Sequence, residues 1–169
     1  MLRCCFVVVG LVALAACEAP NAEPDPVAKT SPASAKPRAT SPPRIVELPE
    51  GTVDLRAAIT RESAAAASAD ETLVVYVGAK WCEPCERFKA AVARGELDHE
   101  LAGVRFLVTD LERDGAQLEA ASCSSKMIPL FARAEADGTC SPTRRTEGGI
   151  KGEGAVGFML PRVKAILAN

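Results

Sequence analysis

The stretch Thr72-Leu-Val-Val-Tyr-Val-Gly-Ala-Lys-Trp-Cys-Glu-Pro-Cys-Glu-Arg-Phe88 decides how this chain reads. Its first half is apolar almost throughout and rich in β-branched residues, as a central parallel strand buried on both faces would be. Its second half opens a helix-like run to Arg94, with Phe88, Ala91 and Val92 as the inner stripe and Pro84 in the first turn, where its missing N–H costs nothing. Cys82 and Cys85 therefore fall at a strand-to-helix junction. Two thiols so placed can close and open a small disulfide ring. The first sits at a helix N-terminus, where unpaired amides and the helix dipole favour a thiolate. A Cys-x-x-Cys pair alone is also half of a zinc site; the strand before it and the helix after it point instead to thiol–disulfide exchange.

Outward from this point the chain divides in three. Its 169 residues include a first fifty that cannot form a core, which leaves one domain of about 110 to 120 residues. A net charge of −2, with no basic stretch interleaved with aromatics, gives no footprint for nucleic acid. Of the seven cysteines, Cys4, Cys5 and Cys17 lie in the N-terminal segment, and Cys82, Cys85, Cys123 and Cys140 in the domain.

Met1-Leu2-Arg3 is a short positive start, and Phe6 to Ala16 is an apolar run too short to span a bilayer, which needs about 20 such residues. It ends in Leu14-Ala15-Ala16-Cys17, which resembles the lipobox of bacterial lipoproteins. That resemblance implies a signal peptide over 1–16, a lipid on Cys17 and an address in the bacterial cell envelope, with the domain on the extracytoplasmic, periplasmic side. Eight of the twelve prolines follow between Glu18 and Glu50, so 17–50 reads as the lipidated cysteine and a Pro/Ala-rich linker, with 51–169 as the domain.

Within the domain, Asp54 to Ala69 is alanine-rich with helical spacing. Val104 to Thr109 is a second strand, Gly115 to Ser122 a short helix, and Pro129 to Arg133 a third strand. Asp137-Gly138 is a hairpin turn and Arg144 to Glu147 its partner strand. A last helix is expected to start near Leu160, because Pro161 must open or kink it, with 148–157 as a mobile lead-in. This order gives an α/β domain with a mixed central sheet and helices on both faces.

Trp81-Cys82-Glu83-Pro84-Cys85 between strand and helix, with Ile128-Pro129 before a later strand, resembles the thioredoxin fold over residues 51–169. The likeness is nearest to the thioredoxin-like domains of envelope reductants, such as the C-terminal domain of the DsbD interchange proteins. Cys-Glu-Pro-Cys is also found in membrane-attached thioredoxins of cytochrome c biogenesis. The resemblance implies that Cys82 is the exposed nucleophile, Cys85 the buried resolving thiol, Trp81 a shield over the dithiol and Pro129 cis. It also implies that the Ile128 backbone pairs with a substrate strand. One position departs from it. Thioredoxins commonly bury an aspartate six residues before the first cysteine; here that residue is Tyr76. Glu86 is then a candidate base for Cys85, and Glu83 and Glu86 would oppose a thiolate at Cys82 and favour a reducing couple.

The function expected is a membrane-tethered thiol–disulfide oxidoreductase that reduces protein disulfides through Cys82 and Cys85, without a cofactor, and is recharged by a membrane electron donor. Two alternatives stand beside it. Metal (copper) delivery needs more ligands than the cysteine pair, and the lone His99 lies in a polar stretch. A non-catalytic tethered adaptor would use the pair as a staple, though so small a ring constrains little chain. Cys123 and Cys140 are expected to be separate thiols. One precedes Pro129 by six residues, at the active-site end, and the other follows the far hairpin turn. A strand of five or six residues spans about 17–20 Å, whereas bridged Cα atoms sit within about 7 Å.

Overall fold

A computed structural model describes residues 41–168; the expected signal peptide, Cys17 and the linker as far as residue 40 lie outside the described residues. The chain runs β1 (Arg44–Glu47), α1 (Leu55–Ser68), β2 (Thr72–Gly78), α2 (Glu83–Ala93), β3 (Val104–Asp110), α3 (Gly115–Ala120), β4 (Leu130–Ala134), β5 (Cys140–Glu147) and α4 (Ala155–Leu167). The five strands form one mixed sheet in the order β1-β3-β2-β4-β5. The first three are mutually parallel, and β4 turns antiparallel, pairing Tyr76 with Phe131 and Val77 with Leu130.

Alternation along the strands builds two cores. Val74, Tyr76, Phe106 and Phe131 point to the side covered by α2 and α4, where Phe88, Met159 and Val163 meet them. Leu73, Val75, Val77, Leu107 and Leu130 point to the other side, under α1 and α3, against Leu55, Ile59 and Leu118. Buried on both faces, β2 has no polar side to show, which is why its sequence lacks a strand-like alternation of polarity. Asp54 caps α1 by accepting from the Ala57 amide at 3.0 Å. Arg105, 5% exposed near the start of β3, donates to Glu71 at 2.7 Å and to Glu62 of α1 at 3.1 Å, so the alanine-rich helix is tied to the sheet by buried charge as well as by packing.

Three expectations need correction. First, the stretch read as linker contains β1: Ile45 and Val46 pair with Phe106 and Leu107 at the sheet edge. Only two β-branched residues mark it, between Pro42-Pro43 and Pro49, and prolines are tolerated at the ends of an edge strand. Second, α4 begins at Ala155, five residues before the expected start, and runs straight through Pro161. Pro161 and Gly157, whose carbonyl loses its helical donor, both lie on the exposed face, so the lost bond leaves no buried group without a partner. The apolar stripe Ala155, Met159, Val163 and Ile166 continues beneath them. The segment before α4 is also held at both ends, as described below, rather than loose.

Third, Cys123 and Cys140 form a disulfide, with Cα atoms 5.1 Å apart. Cys140 does lie far from the dithiol end, paired with Ala134. Cys123 lies there too, because α3 carries the chain down the sheet and 124–129 bring it back. Six extended residues reach roughly 20 Å, which is the whole length of a strand. The bridge closes a 17-residue separation and on the chain-entropy account contributes about 3 kcal/mol. Both cysteines are buried.

The turn before β5 is packed hard on α1. Gly138 has φ +79°, and a Cβ there would lie 2.3 Å from the Arg56 carbonyl oxygen, whereas Gly51, at φ +78°, faces open space. Gly51→Ala carries only left-handed backbone strain, about 1 kcal/mol. Gly138→Ala adds a backbone clash and should cost about 3 kcal/mol or more. Urea unfolding of the two variants checks this, and equal losses would contradict the close packing.

Candidate active site

The local chain geometry at the C-terminal end of β2 places both sulfurs. Gly78 lies against Cys85: a Cβ on it would come within 3.4 Å of the Cys85 Sγ. Cys82 is the N-cap of α2, in extended backbone conformation, and its Sγ accepts from the Cys85 amide at 3.3 Å. Pro84 occupies the first turn, as its sequence position requires. Cys82 and Cys85 are joined as a disulfide with Cα atoms 5.2 Å apart.

In this oxidised form the two sulfurs differ little in access. Cys82 is 3% exposed and Cys85 1%, so the exposed first thiol implied by the resemblance is buried here. Their electrostatic settings differ more. The Cys82 sulfur receives an amide hydrogen bond at the positive end of α2, the environment that lowers a thiol pKa. Cys85 sits inside the helix, with its sulfur against the strand.

Tyr76 stands beneath Cys85. Its hydroxyl donates to the Cys85 carbonyl at 2.8 Å. Its ring stacks on Phe131 at 4.7 Å between centroids and meets Phe88 and Phe106 edge-on. Burial, with Glu86 and Glu47 nearby, pushes the phenol well above its ordinary pKa, so it is a donor here and not a base. Glu86 and Cys85 line a common cavity of about 110 Å³, with Glu47, Lys89 and Asp110 also on its wall. Glu86 pairs with Lys89 at 2.7 Å.

Glu83, between the two cysteines, is a more engaged residue than its place in the motif suggests. Its Oε1 accepts from Arg87 Nε at 2.8 Å and from the Gly152 amide at 3.2 Å. The Arg87 hydrogen bond first, and the Gly152 amide second, hold its carboxyl below the usual range.

Trp81 is 64% exposed. Its indole N–H donates to Glu112 Oε1 at 2.9 Å. Glu112 is fixed in turn, because Asp110 accepts from the amides of Glu112 and Arg113 and so folds the loop after β3. Nothing in the sequence around Glu112 marked it as a partner of Trp81, since the two meet only through the pairing of Gly78 with Asp110.

On the other side of the dithiol the Ile128–Pro129 peptide bond is cis. The Pro129 carbonyl accepts from the Gly148 amide at 2.8 Å. Gly149 then passes so close that a Cβ there would lie 2.8 Å from Pro84 Cβ and 3.2 Å from Pro129 Cδ. Cys-Glu-Pro-Cys and the Pro129 strand are thus drawn together through a glycine. The Gly148-Gly149 pair after β5 was the available sequence signal for it. Met127 and Ile150 stand exposed beside these contacts. His99 is an exposed residue remote from the site, and among the described residues no three metal-ligating side chains gather.

No protein-family model matches the chain, and no curated protein sequence matches it. Among solved structures it is similar to a thioredoxin of Trichomonas vaginalis, at 22% identity over 62% of this chain and 85% of that one, with a TM-score of 0.41. It is similar to a poplar thioredoxin h at 19% identity, over 74% and 97% of the two chains, with a TM-score of 0.47. A thioredoxin of Trypanosoma brucei brucei matches at 17% identity, over 80% and 100%, with a TM-score of 0.43. The fold assignment rests on this chain's own strand order and register. A β1-β3-β2-β4-β5 sheet with antiparallel β4 and β5 and helices on both faces is the thioredoxin fold. A disulfide at the start of its α2 is an arrangement suited to thiol–disulfide exchange.

Tyr76 is the chain's only tyrosine, so alkaline absorbance reads it alone. A raised folded-state pKa means that its contribution to stability is present below the unfolded value near 10 and is lost as pH rises beyond it. Phenolate absorbance should therefore appear together with loss of near-ultraviolet circular dichroism. A reversible titration near pH 10 in the folded protein would contradict the buried donor.

Proposed function

We propose that the protein is a thiol–disulfide oxidoreductase that reduces protein disulfides in the bacterial cell envelope. The observation that carries this reading is the Cys82–Cys85 disulfide, whose first sulfur accepts an amide hydrogen bond at the N-cap of α2. In the reduced protein Cys82 attacks as thiolate, the client S–S bond breaks, one client sulfur leaves as thiolate, and a Cys82–client disulfide forms. Cys85 then loses its proton and attacks the Cys82 sulfur. The second client thiolate leaves, and two electrons have passed to the client. The cavity shared by Cys85 and Glu86 gives that proton a polar exit. Recharging requires a dithiol donor, for which a membrane partner is the natural source if the domain is tethered.

A reducing poise is supported by the acidic side chains around the site, Glu83, Glu86 and Glu112. Each is engaged by a donor, Arg87, Lys89 or Trp81, so their opposition to the Cys82 thiolate is moderated. The reading therefore gives a mild reductant, with a potential above the roughly −300 mV typical of structural bridges.

Trapping tests the assignment of roles. Cys85→Ser should accumulate mixed disulfides with envelope proteins, and Cys82→Ser should not. Equal trapping by both variants, or a Cys82–Cys85 potential below about −300 mV against glutathione and dithiothreitol, would overturn the catalytic reading in favour of a tethered adaptor.

The tether is supported by Leu14-Ala15-Ala16-Cys17 and the proline-rich stretch after it. Lipid on Cys17 would hold the domain at a membrane on the periplasmic side. Cys17→Ala should move the protein from the detergent phase to the aqueous phase, or leave an unprocessed precursor. Unchanged partitioning would remove the anchor from the proposal.

A further inference from the structure

The segment Gly148–Gly154, between β5 and α4, is pinned at two points that both belong to the dithiol end. At one end the Gly148 amide donates to the Pro129 carbonyl at 2.8 Å. Near the other, the Gly152 amide donates to Glu83 Oε1 at 3.2 Å. Gly149, wedged between Pro84 and Pro129, fits only because it has no side chain. Ile150 lies between the two pins and is 44% exposed, although it is a large apolar residue. The two pins fix the backbone on both sides of Ile150, next to a glycine that touches Pro84 and Pro129.

We infer that Glu83 is a positioning residue: its carboxylate latches the Gly148–Gly154 segment to the start of α2 and so holds Ile150 beside the dithiol for contact with a polypeptide client. This rests on the oxidoreductase reading and adds a determinant of client type to it. Arg87, one helical turn along, donates to the same Oε1 at 2.8 Å and fixes the rotamer that reaches Gly152. The backbone amide of Gly152 needs an acceptor, and an amide oxygen at position 83 supplies one as well as a carboxylate does. A small aliphatic side chain does not. The latch therefore separates from the charge of Glu83, which acts on Cys82 whatever the substrate.

That separation defines the experiment. Full-length protein is reduced, freed of reductant and mixed with insulin or with hydroxyethyl disulfide. Oxidation is followed by the fluorescence of Trp81, the chain's only tryptophan. Charge effects move both substrates together in Glu83→Gln and Glu83→Ala. The latch moves insulin alone. Relative to hydroxyethyl disulfide, Glu83→Ala should raise the half-saturating insulin concentration about threefold, a modest figure because one half-exposed hydrogen bond carries the effect. Glu83→Gln should restore the wild-type value. Equal insulin-to-small-disulfide ratios in the two variants would overturn the latch. A wild-type protein that reduces neither disulfide would instead overturn the oxidoreductase reading on which the latch rests.

Discussion

The buried hydrogen bond from Tyr76 to the Cys85 carbonyl is the contact on which the site's geometry depends. The first turn of a helix is normally free to shift as its packing allows. Here that turn is bonded to the central strand by a phenol that is itself locked among Phe88, Phe106 and Phe131. Aromatic pairs of this kind add about 0.5–1.5 kcal/mol beyond the area they bury. The hydroxyl is a second donor to a carbonyl inside α2, and the contact satisfies the buried phenol, which left without a partner would be a defect of about 1–3 kcal/mol. Where the resemblance read from the sequence implies an aspartate, this chain places a donor. The strut fixes the position of Cys85 and offers it no proton acceptor.

The charges around the dithiol form a second layer of the same design. Read from sequence, Glu83 and Glu86 are two negative charges next to a sulfur that must become negative. In the folded protein each is answered within its own helix, Glu83 by Arg87 and Glu86 by Lys89. Glu112 arrives from the loop after β3 and is engaged by the Trp81 indole. Net charge near the sulfurs is thus smaller than the motif suggests. The amide at the α2 N-cap acts at the shortest range. Exposed pairs of this sort contribute little to stability, and their value here lies in where they leave the carboxylates pointing.

What was legible in the sequence follows the strength of local signals. The β2–α2 junction, both cysteines and the cis position of Pro129 could be placed because each has a local pattern or a position-by-position match. β1 has only Ile45 and Val46 to mark it, inside a proline-rich context. The start of α4 was hidden by Pro161, whose effect depends on which helix face it occupies, and that is decided by packing. The Cys123–Cys140 bridge is not legible in the sequence because nearness to Pro129 along the chain is not nearness in space: residues 124–129 carry the chain from one end of the sheet to the other. Glu112, Gly149 and Gly152 touch the site from strands and loops distant in sequence, so no window around the Cys-Glu-Pro-Cys motif contains them.

The bridge at the far end of the sheet has a consequence for how the sulfur chemistry of this chain is counted. One sulfur pair closes the end of α3 onto β5, the other closes the first turn of α2 at the opposite end, and both are buried. A single chain thus carries two bridges held by different elements, and opening one leaves the backbone around the other in place. Counting thiols in the denatured chain then reads the two pairs together, two thiols for each bridge that is open.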